Sequence, residues 1–159
     1  MIRAFIAIDI PVDVRAAFSE AQARLKRAHT GVKVSWTKIE NLHLTLQFLG
    51  YVEEPAIDKI RAALESVATQ CGTFDLPVRG AGGFPDERRP HVLWVGCDDG
   101  GGKLRALAQA VQAAMQPLGF EPERRDFSAH LTLGRVKFPH PHIFPKCRSE
   151  RGQGSGRTN

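Results

Sequence analysis

The order of apolar and polar residues changes from a period of two to a helical period within the first thirty positions. Residues 2–9 alternate, with Ile2, Ala4, Ile6 and Ile8 on one side, which predicts a strand. Asp9 and Pro11 then supply the chemistry of a helix start. An apolar stripe at spacings of three and four follows and predicts a helix that Gly31 ends; its members are Val14, Phe18, Ala21, Leu25 and Ala28.

The periodicity of apolar residues predicts further elements up to residue 136. The further predicted elements are a short extended piece at 32–36, a strand from 43 to about 50, a helix from Pro55, a strand at 74–79, a loop at 80–90, a strand at 91–97, a helix at 104–118 closed by Gly119, and a last strand that begins near 130. The order is roughly β-α-β-α-β-β-α-β. It predicts an α+β fold in which strands and helices share one core.

Four letters, HLTL, occur twice, at residues 43–46 and 130–133, and each copy follows a helix. This is a weak internal repeat. Because side chains two apart share one face of a strand, His43 and Thr45 point one way while the two leucines point into the core. His130 and Thr132 do the same. If an approximate two-fold axis relates the copies, two imidazoles and two hydroxyls meet across a cleft.

Composition limits the classes of partner and compartment. The net charge is +5, but residues 1–136 hold 17 basic and 16 acidic side chains, so the charge itself does not indicate a polyanion partner. Three scattered cysteines without a CxxC pair are typical of reduced thiols in a cytosolic protein. Neither a signal peptide nor an apolar run of membrane-spanning length is evident, and we expect a cytoplasmic location with no membrane partner.

Two facing histidines suit acid–base chemistry on a phosphodiester. One neutral imidazole removes a proton while the other, charged, donates one, and the threonine hydroxyls hydrogen-bond phosphate oxygens between them. Arg135 is a further candidate ligand of the phosphate. It lies five residues after His130, so strict alternation places it on the opposite face. Reaching the phosphate requires a twist or bulge near Gly134.

Other interpretations of these residues are weaker. A single HLTL is ordinary in a half-buried strand, but packing does not require histidine at both copies. A zinc site needs more ligands than two histidines without a carboxylate or cysteine at ligand spacing. A phosphate-binding loop that ends in Gly102-Lys103 requires Gly at 97 and Ser or Thr at 104, where Cys97 and Leu104 stand.

The doubled H-x-T-x motif, 87 residues apart, resembles that of the 2H phosphoesterase superfamily. The segments MIRAFIAIDIP, VSWTKIENLHLTLQFLG, RRPHVLWVG and FSAHLTLGRVK resemble its bacterial and archaeal RNA 2′,3′-cyclic phosphodiesterase branch, also called 2′-5′ RNA ligase, over about residues 1–138. The resemblance implies two pseudo-symmetric lobes with antiparallel sheets lining a central groove and helices outside. It also implies a site in the groove without metal or cofactor.

The resemblance further implies a role for each motif residue. His43 is the proton donor to the leaving oxygen, His130 is the proton acceptor that activates water, and Thr45 and Thr132 bind the phosphate. The expected substrate is RNA with a 2′,3′-cyclic phosphate end, and the product is a 2′-phosphate. Ligation is a variant in which a 5′-hydroxyl is the nucleophile and a 2′-5′ bond forms. We expect a monomer. The alternative is an RNA-binding or scaffolding protein with little turnover.

The chain departs from this family in two places. Ala129 stands before the second histidine, where family members often have proline. After the second motif the family continues with further elements, whereas residues 139–159 form a polar, Arg/Gly/Ser-rich segment without periodicity. We therefore expect a C-terminally incomplete domain over 1–138 and a disordered tail over 139–159.

Overall fold

The fold was analysed in a computed structural model that describes residues 1–28, 30–99 and 101–138. The tail predicted over 139–159 lies outside these residues. The α-helices and strands of the described part are β1 (Ile2–Asp9), α1 (Val12–Ala28), β2 (Val34–Trp36), β3 (His43–Val52), α2 (Ile57–Cys71), β4 (Val78–Phe84), β5 (Val92–Cys97), α3 (Lys103–Met115) and β6 (His130–Val136). Short 3₁₀ turns stand before β3 and α2 and after α3. The predicted α+β class is confirmed.

The strands form two antiparallel sheets. One sheet pairs β1 with β3, and the other has the order β2-β6-β5-β4. The two HLTL copies are the first residues of β3 and β6, so each sheet carries one copy. Each copy also pairs with an equivalent neighbouring strand. This strand is β1 for the copy in β3 and β5 for the copy in β6.

One continuous core joins the two sheets. The leucines of both motifs are almost fully buried, at 2%, 5%, 0% and 1% exposure for Leu44, Leu46, Leu131 and Leu133. Helix α3 contributes Leu104, Ala108, Val111 and Met115 to the same core. Burial of a leucine side chain stabilises the fold by about 1.5–3 kcal/mol. Both motif strands are therefore anchored by the face opposite to their histidines.

Helix α1 is tied to the second sheet by a buried amide. Gln22 Nε2 donates to the carbonyl oxygens of Thr37 and Leu133 at 2.8 and 2.9 Å. A buried amide in an apolar core is tolerated only when its hydrogen bonds are made. These bonds hold the helix that follows β1 against the strand that carries the second motif.

Helix α3 begins at a carboxylate cap. Asp99 Oδ1 and Oδ2 accept hydrogen bonds from the backbone N–H groups of Leu104 and Arg105 at 2.9 and 2.7 Å. A carboxylate beside the first amides of a helix is favourable because these amides have no partner within the helix. The predicted start of this helix is thus confirmed to within one residue.

The predicted strand at 74–79 and loop at 80–90 are wrong in their boundaries. Strand β4 runs over Val78–Phe84, and most of its residues lie in the stretch assigned to the loop. The glycines serve close packing here, because a Cβ on Gly82 would overlap the Trp94 ring and one on Gly83 would overlap Pro90. The glycines of this segment therefore do not mark a turn. They allow Trp94 and Pro90 to pack closely against the strand.

Among the described residues, none of the helices has the length and apolar character needed to cross a membrane.

Candidate functional site

The histidine and threonine of each motif lie on one face of their strand, which we call the histidine face. His43 is opposite Asp9 and Thr45 opposite Ala7 in the β1–β3 pair. His130 is opposite Gly96 and Thr132 opposite Trp94 in the β5–β6 pair. All four side chains are partly exposed, in contrast to the leucines between them. The predicted alternation of the two motifs is confirmed.

The two imidazoles are anchored in the same way. His43 Nδ1 lies 2.6 Å from the carbonyl oxygen of Asn41, and His130 Nδ1 lies 2.8 Å from that of Ser128. In each case the carbonyl belongs to the residue two positions earlier. A carbonyl oxygen only accepts, so Nδ1 carries the proton and donates. Nε2 of each ring is left to exchange a proton with a substrate or water.

A bulge in β6 brings Arg135 onto the histidine face. Trp94 pairs with Thr132 but Leu93 pairs with Gly134, so Leu133 is an extra residue in β6. The next pair joins Val92 and Arg135. Since paired residues share a face and Val92 lies two positions from Trp94, Arg135 points to the same side as Thr132. The bulge that the Arg135 hypothesis required near Gly134 is present.

Strand β3 has the equivalent bulge. Ala7 pairs with Thr45 but Ile6 pairs with Gln47, which leaves Leu46 as the extra residue, and Phe5 then pairs with Phe48. Phe48 therefore joins His43 and Thr45 on the histidine face. It lies five residues after His43, as Arg135 lies five residues after His130. Phe5 and Phe48 are 47% and 60% exposed, although they are large apolar side chains.

Aromatic rings also flank each histidine. The Phe5 ring centroid is 4.7 Å from that of His43, and Phe5 lies 6.1 Å from Phe48. On the second sheet, Phe84 contacts His130 edge-on at 5.1 Å and lies 5.4 Å from Trp94. The sequence did not identify the three phenylalanines among these neighbours. Phe48 could have been found by superposing the two copies of the repeat and extending the comparison to the fifth residue.

The two histidine faces differ in the space beside the threonines. Ala7 stands opposite Thr45, while the equivalent position opposite Thr132 holds the indole of Trp94. An alanine side chain is far smaller than an indole. The two faces therefore match in their histidines and threonines and differ in the size of the residue opposite each threonine.

Two further titratable groups, Cys97 and Asp86, have shifted pKa values. Burial raises the pKa of the Cys97 thiol, which keeps it protonated although it follows Gly96, the partner of His130. Hydrogen bonds from the backbone N–H groups of Arg89 and Arg88 lower the pKa of Asp86. Within the described ranges, no group of three or more His, Cys, Asp or Glu side chains could hold a metal ion.

Comparisons with known proteins identify the family of the chain. The model of the LigT-like phosphoesterase family matches residues 8–94 and 95–154. The chain is 40% identical over 117 residues to an RNA 2′,3′-cyclic phosphodiesterase of Aeropyrum pernix, covering 74% of this chain and 65%, just under two thirds, of that protein. It is 35% identical to the protein of the same name from Archaeoglobus fulgidus, covering 97% and 84% of the two chains.

A solved structure extends the similarity to the fold. A crystal structure of a Thermus thermophilus protein superposes with a TM-score of 0.76 at 32% identity, covering 88% of this chain and 77% of that one. The antiparallel sheets and three helices described above are thus those of a known architecture. With the two family matches spanning both motifs, the chain belongs to the LigT-like phosphoesterase family.

Proposed function

We propose that the protein hydrolyses 2′,3′-cyclic phosphates at the ends of RNA and releases a 2′-phosphate. The observation that carries the proposal is the pair of equivalently anchored imidazoles, each with Nδ1 on a backbone carbonyl and Nε2 on the histidine face. The printed names of the Aeropyrum and Archaeoglobus relatives support the same substrate class.

The chemistry follows from the two imidazoles and the groups beside them. Nε2 of His130 takes a proton from water, and the water oxygen attacks phosphorus. The bond from phosphorus to the 3′ oxygen breaks on the opposite side, and Nε2 of His43 gives that oxygen its proton. Thr45 and Thr132 donate hydrogen bonds to the non-bridging oxygens, and the Arg135 guanidinium balances their charge. These side chains supply both proton transfers and the phosphate contacts, so we propose that no metal or cofactor takes part.

The different sizes of the residues opposite the two threonines support this assignment of roles. The leaving oxygen belongs to the ribose, so the nucleoside must lie on the side of the proton donor in an in-line displacement. On the first face the small residue Ala7 lies opposite Thr45, and Phe5 and Phe48 on that face are exposed rings on which a nucleobase could stack. The equivalent position on the second face holds the larger Trp94. We therefore assign the donor to His43 and the base to His130.

The same groups support 2′-5′ ligation when a 5′-hydroxyl replaces water. His130 then removes the proton of that hydroxyl, its oxygen attacks phosphorus, and His43 again protonates the leaving 3′ oxygen. Both motifs belong to one chain, so a monomer suffices for hydrolysis and for ligation. A size measurement in solution with light scattering checks the monomer.

The decisive experiment is incubation with adenosine 2′,3′-cyclic phosphate in EDTA, followed by phosphorus NMR of the product. We expect 2′-phosphate, undiminished by the chelator, and far slower formation of product by the His43→Ala variant. A 3′-phosphate product would show that the ribose binds the other way round. Binding of the cyclic nucleotide without turnover by the wild-type chain would instead favour the RNA-binding alternative.

A further inference from the structure

The His130 imidazole is held by one hydrogen bond and two aromatic rings. Its Nδ1 is bound to the carbonyl oxygen of Ser128 at 2.8 Å. Phe84 packs edge-on against it, with ring centroids 5.1 Å apart and an angle of 83°, and Trp94 lies at 6.5 Å and 61°. A single hydrogen bond leaves the ring free to swing about the bonded nitrogen. The two aromatic contacts restrict that motion.

The Trp94 indole packs on the backbone of a glycine in β4. Gly82 is the cross-strand partner of Trp94, and a side chain there would overlap the indole. Phe84 lies two residues further along the same face of β4 and packs on Trp94 at 5.4 Å and 32°. Because Gly82 has no side chain, the Trp94 indole can lie close to the backbone of β4. The indole in turn packs against the Phe84 ring, which contacts His130.

The Trp94 side chain acts through the packing of its ring and not through a hydrogen bond of its N–H group. Trp94 Nε1 is buried and has no hydrogen-bond partner among the residues that the structure describes. A buried donor without a partner is destabilising, so no hydrogen bond accounts for the choice of tryptophan. The ring itself is what fills the volume between Gly82 and Phe84.

We propose that Gly82, Phe84 and Trp94 are positioning residues that set the plane of the His130 imidazole and the direction of its Nε2. The proposal rests on the proposed function of His130 as the base. Proton transfer requires donor and acceptor within hydrogen-bond reach and aligned, and displacement by about 1 Å can cost about 10²-fold in rate. On the first face Phe5 packs on His43 at 4.7 Å, but the position equivalent to Trp94 is held by Ala7.

The variants for the test are Trp94→Phe, Trp94→Ala and Phe84→Leu. Trp36→Ala is the matched control, since Trp36 is a partly buried tryptophan in the same sheet, on the other edge of β6. We expect Trp94→Ala and Phe84→Leu to lower kcat for a 2′,3′-cyclic nucleotide by about 10–100-fold with KM within about threefold. Trp94→Phe should retain most of kcat, because it keeps an aromatic ring. A loss in Trp94→Ala no larger than in Trp36→Ala, or a rise in KM alone, would overturn the proposal.

A readout without turnover separates this proposal from the proposed function. Imidazole proton and nitrogen resonances of His130 and His43 are recorded in each folded variant by NMR. The His130 signals should shift in Trp94→Ala and Phe84→Leu while those of His43 stay in place. Unchanged His130 signals would overturn the positioning role even if wild-type activity proved to be of another kind. If Trp94→Ala fails to fold, Phe84→Leu carries the same comparison.

Discussion

Phe48 and Arg135 occupy the same position of the internal repeat and carry opposite chemistry. Each lies five residues after its histidine, and in each strand a one-residue bulge turns it onto the histidine face. Both side chains are exposed. One face thus offers an aromatic ring, suited to a nucleobase, and the other a guanidinium, suited to a phosphate. The two faces therefore match in their histidines and threonines and differ at the fifth residue after each histidine.

Replacing either imidazole should abolish most of the turnover. We expect His43→Ala and His130→Ala each to lower kcat by at least ~10²-fold, the usual scale for a general acid or base. The double variant should lose far less than the product of the two, because the groups act as a unit. His91→Ala is the control, since among the described residues the hydrogen bonds of His91 are made by its backbone. Near-full activity in either single variant would contradict the two-histidine mechanism.

Removing the exposed ring on the first face should weaken substrate binding. Phe48→Ala is expected to raise KM for a cyclic nucleotide by roughly 5–100-fold, since stacking of one base contributes about 1–3 kcal/mol. The melting temperature should change little, because Phe48 is 60% exposed. Phe138→Ala, at 71% exposure, is the control. An unchanged KM would show that the nucleoside lies elsewhere.

We expect the Arg135 guanidinium to raise kcat/KM through both its charge and its planar geometry. We expect Arg135→Ala to lower kcat/KM by about 10–100-fold, because a hydrogen bond to a charged group contributes about 1.5–3 kcal/mol. Arg135→Lys should recover part of the loss, since an ammonium restores the charge but not the planar fork. The control is Arg61→Ala, on an exposed face of α2. Equal activity of Arg135→Ala and wild type would exclude a phosphate contact.

The Asp86 carboxylate should make stability depend on acid pH. Backbone hydrogen bonds from Arg89 and Arg88 lower its folded pKa below the ordinary 3.8. Its contribution is therefore fully present above pH 3.8 and is lost as the pH falls through the lower folded pKa. Denaturant titrations of wild type and Asp86→Asn at pH 6 and pH 3 should show a stability difference that shrinks at the lower pH. A difference independent of pH would assign the effect to geometry alone.

A side chain at Gly134, in the bulge of β6, should lower the stability of the fold. A Cβ there would lie 2.8 Å from Val34 Cγ1 and 3.0 Å from the Ser35 carbonyl oxygen, so β2 would have to move. We expect Gly134→Ala to destabilise the fold by about 1–3 kcal/mol in a thermal or denaturant melt. Gly31→Ala is the control, because a Cβ at Gly31 would meet nothing within 4 Å. Equal melting temperatures would mean that β2 is loosely held.

The face that each motif presents could be predicted from the order of residues alone. Alternation in HLTL depends only on the period of a strand, so His43 and Thr45 had to point away from Leu44 without any knowledge of neighbouring strands. The start of α1 was equally local, because Asp9 and Pro11 stand directly before its first residue, Val12. Duplication of the motif then indicated the chemistry, since packing alone explains a repeated leucine and not a repeated histidine.

Features that depend on register between strands could be found only in the folded molecule. The bulges that turn Phe48 and Arg135 onto the histidine faces arise from the pairing with β1 and β5, and a period of two cannot reveal them. The extent of β4 depended on Trp94, whose indole requires the bare backbone of Gly82, so glycines that look like a turn are part of a strand. Contacts between residues distant in the chain select among local conformations that are otherwise nearly equal in free energy.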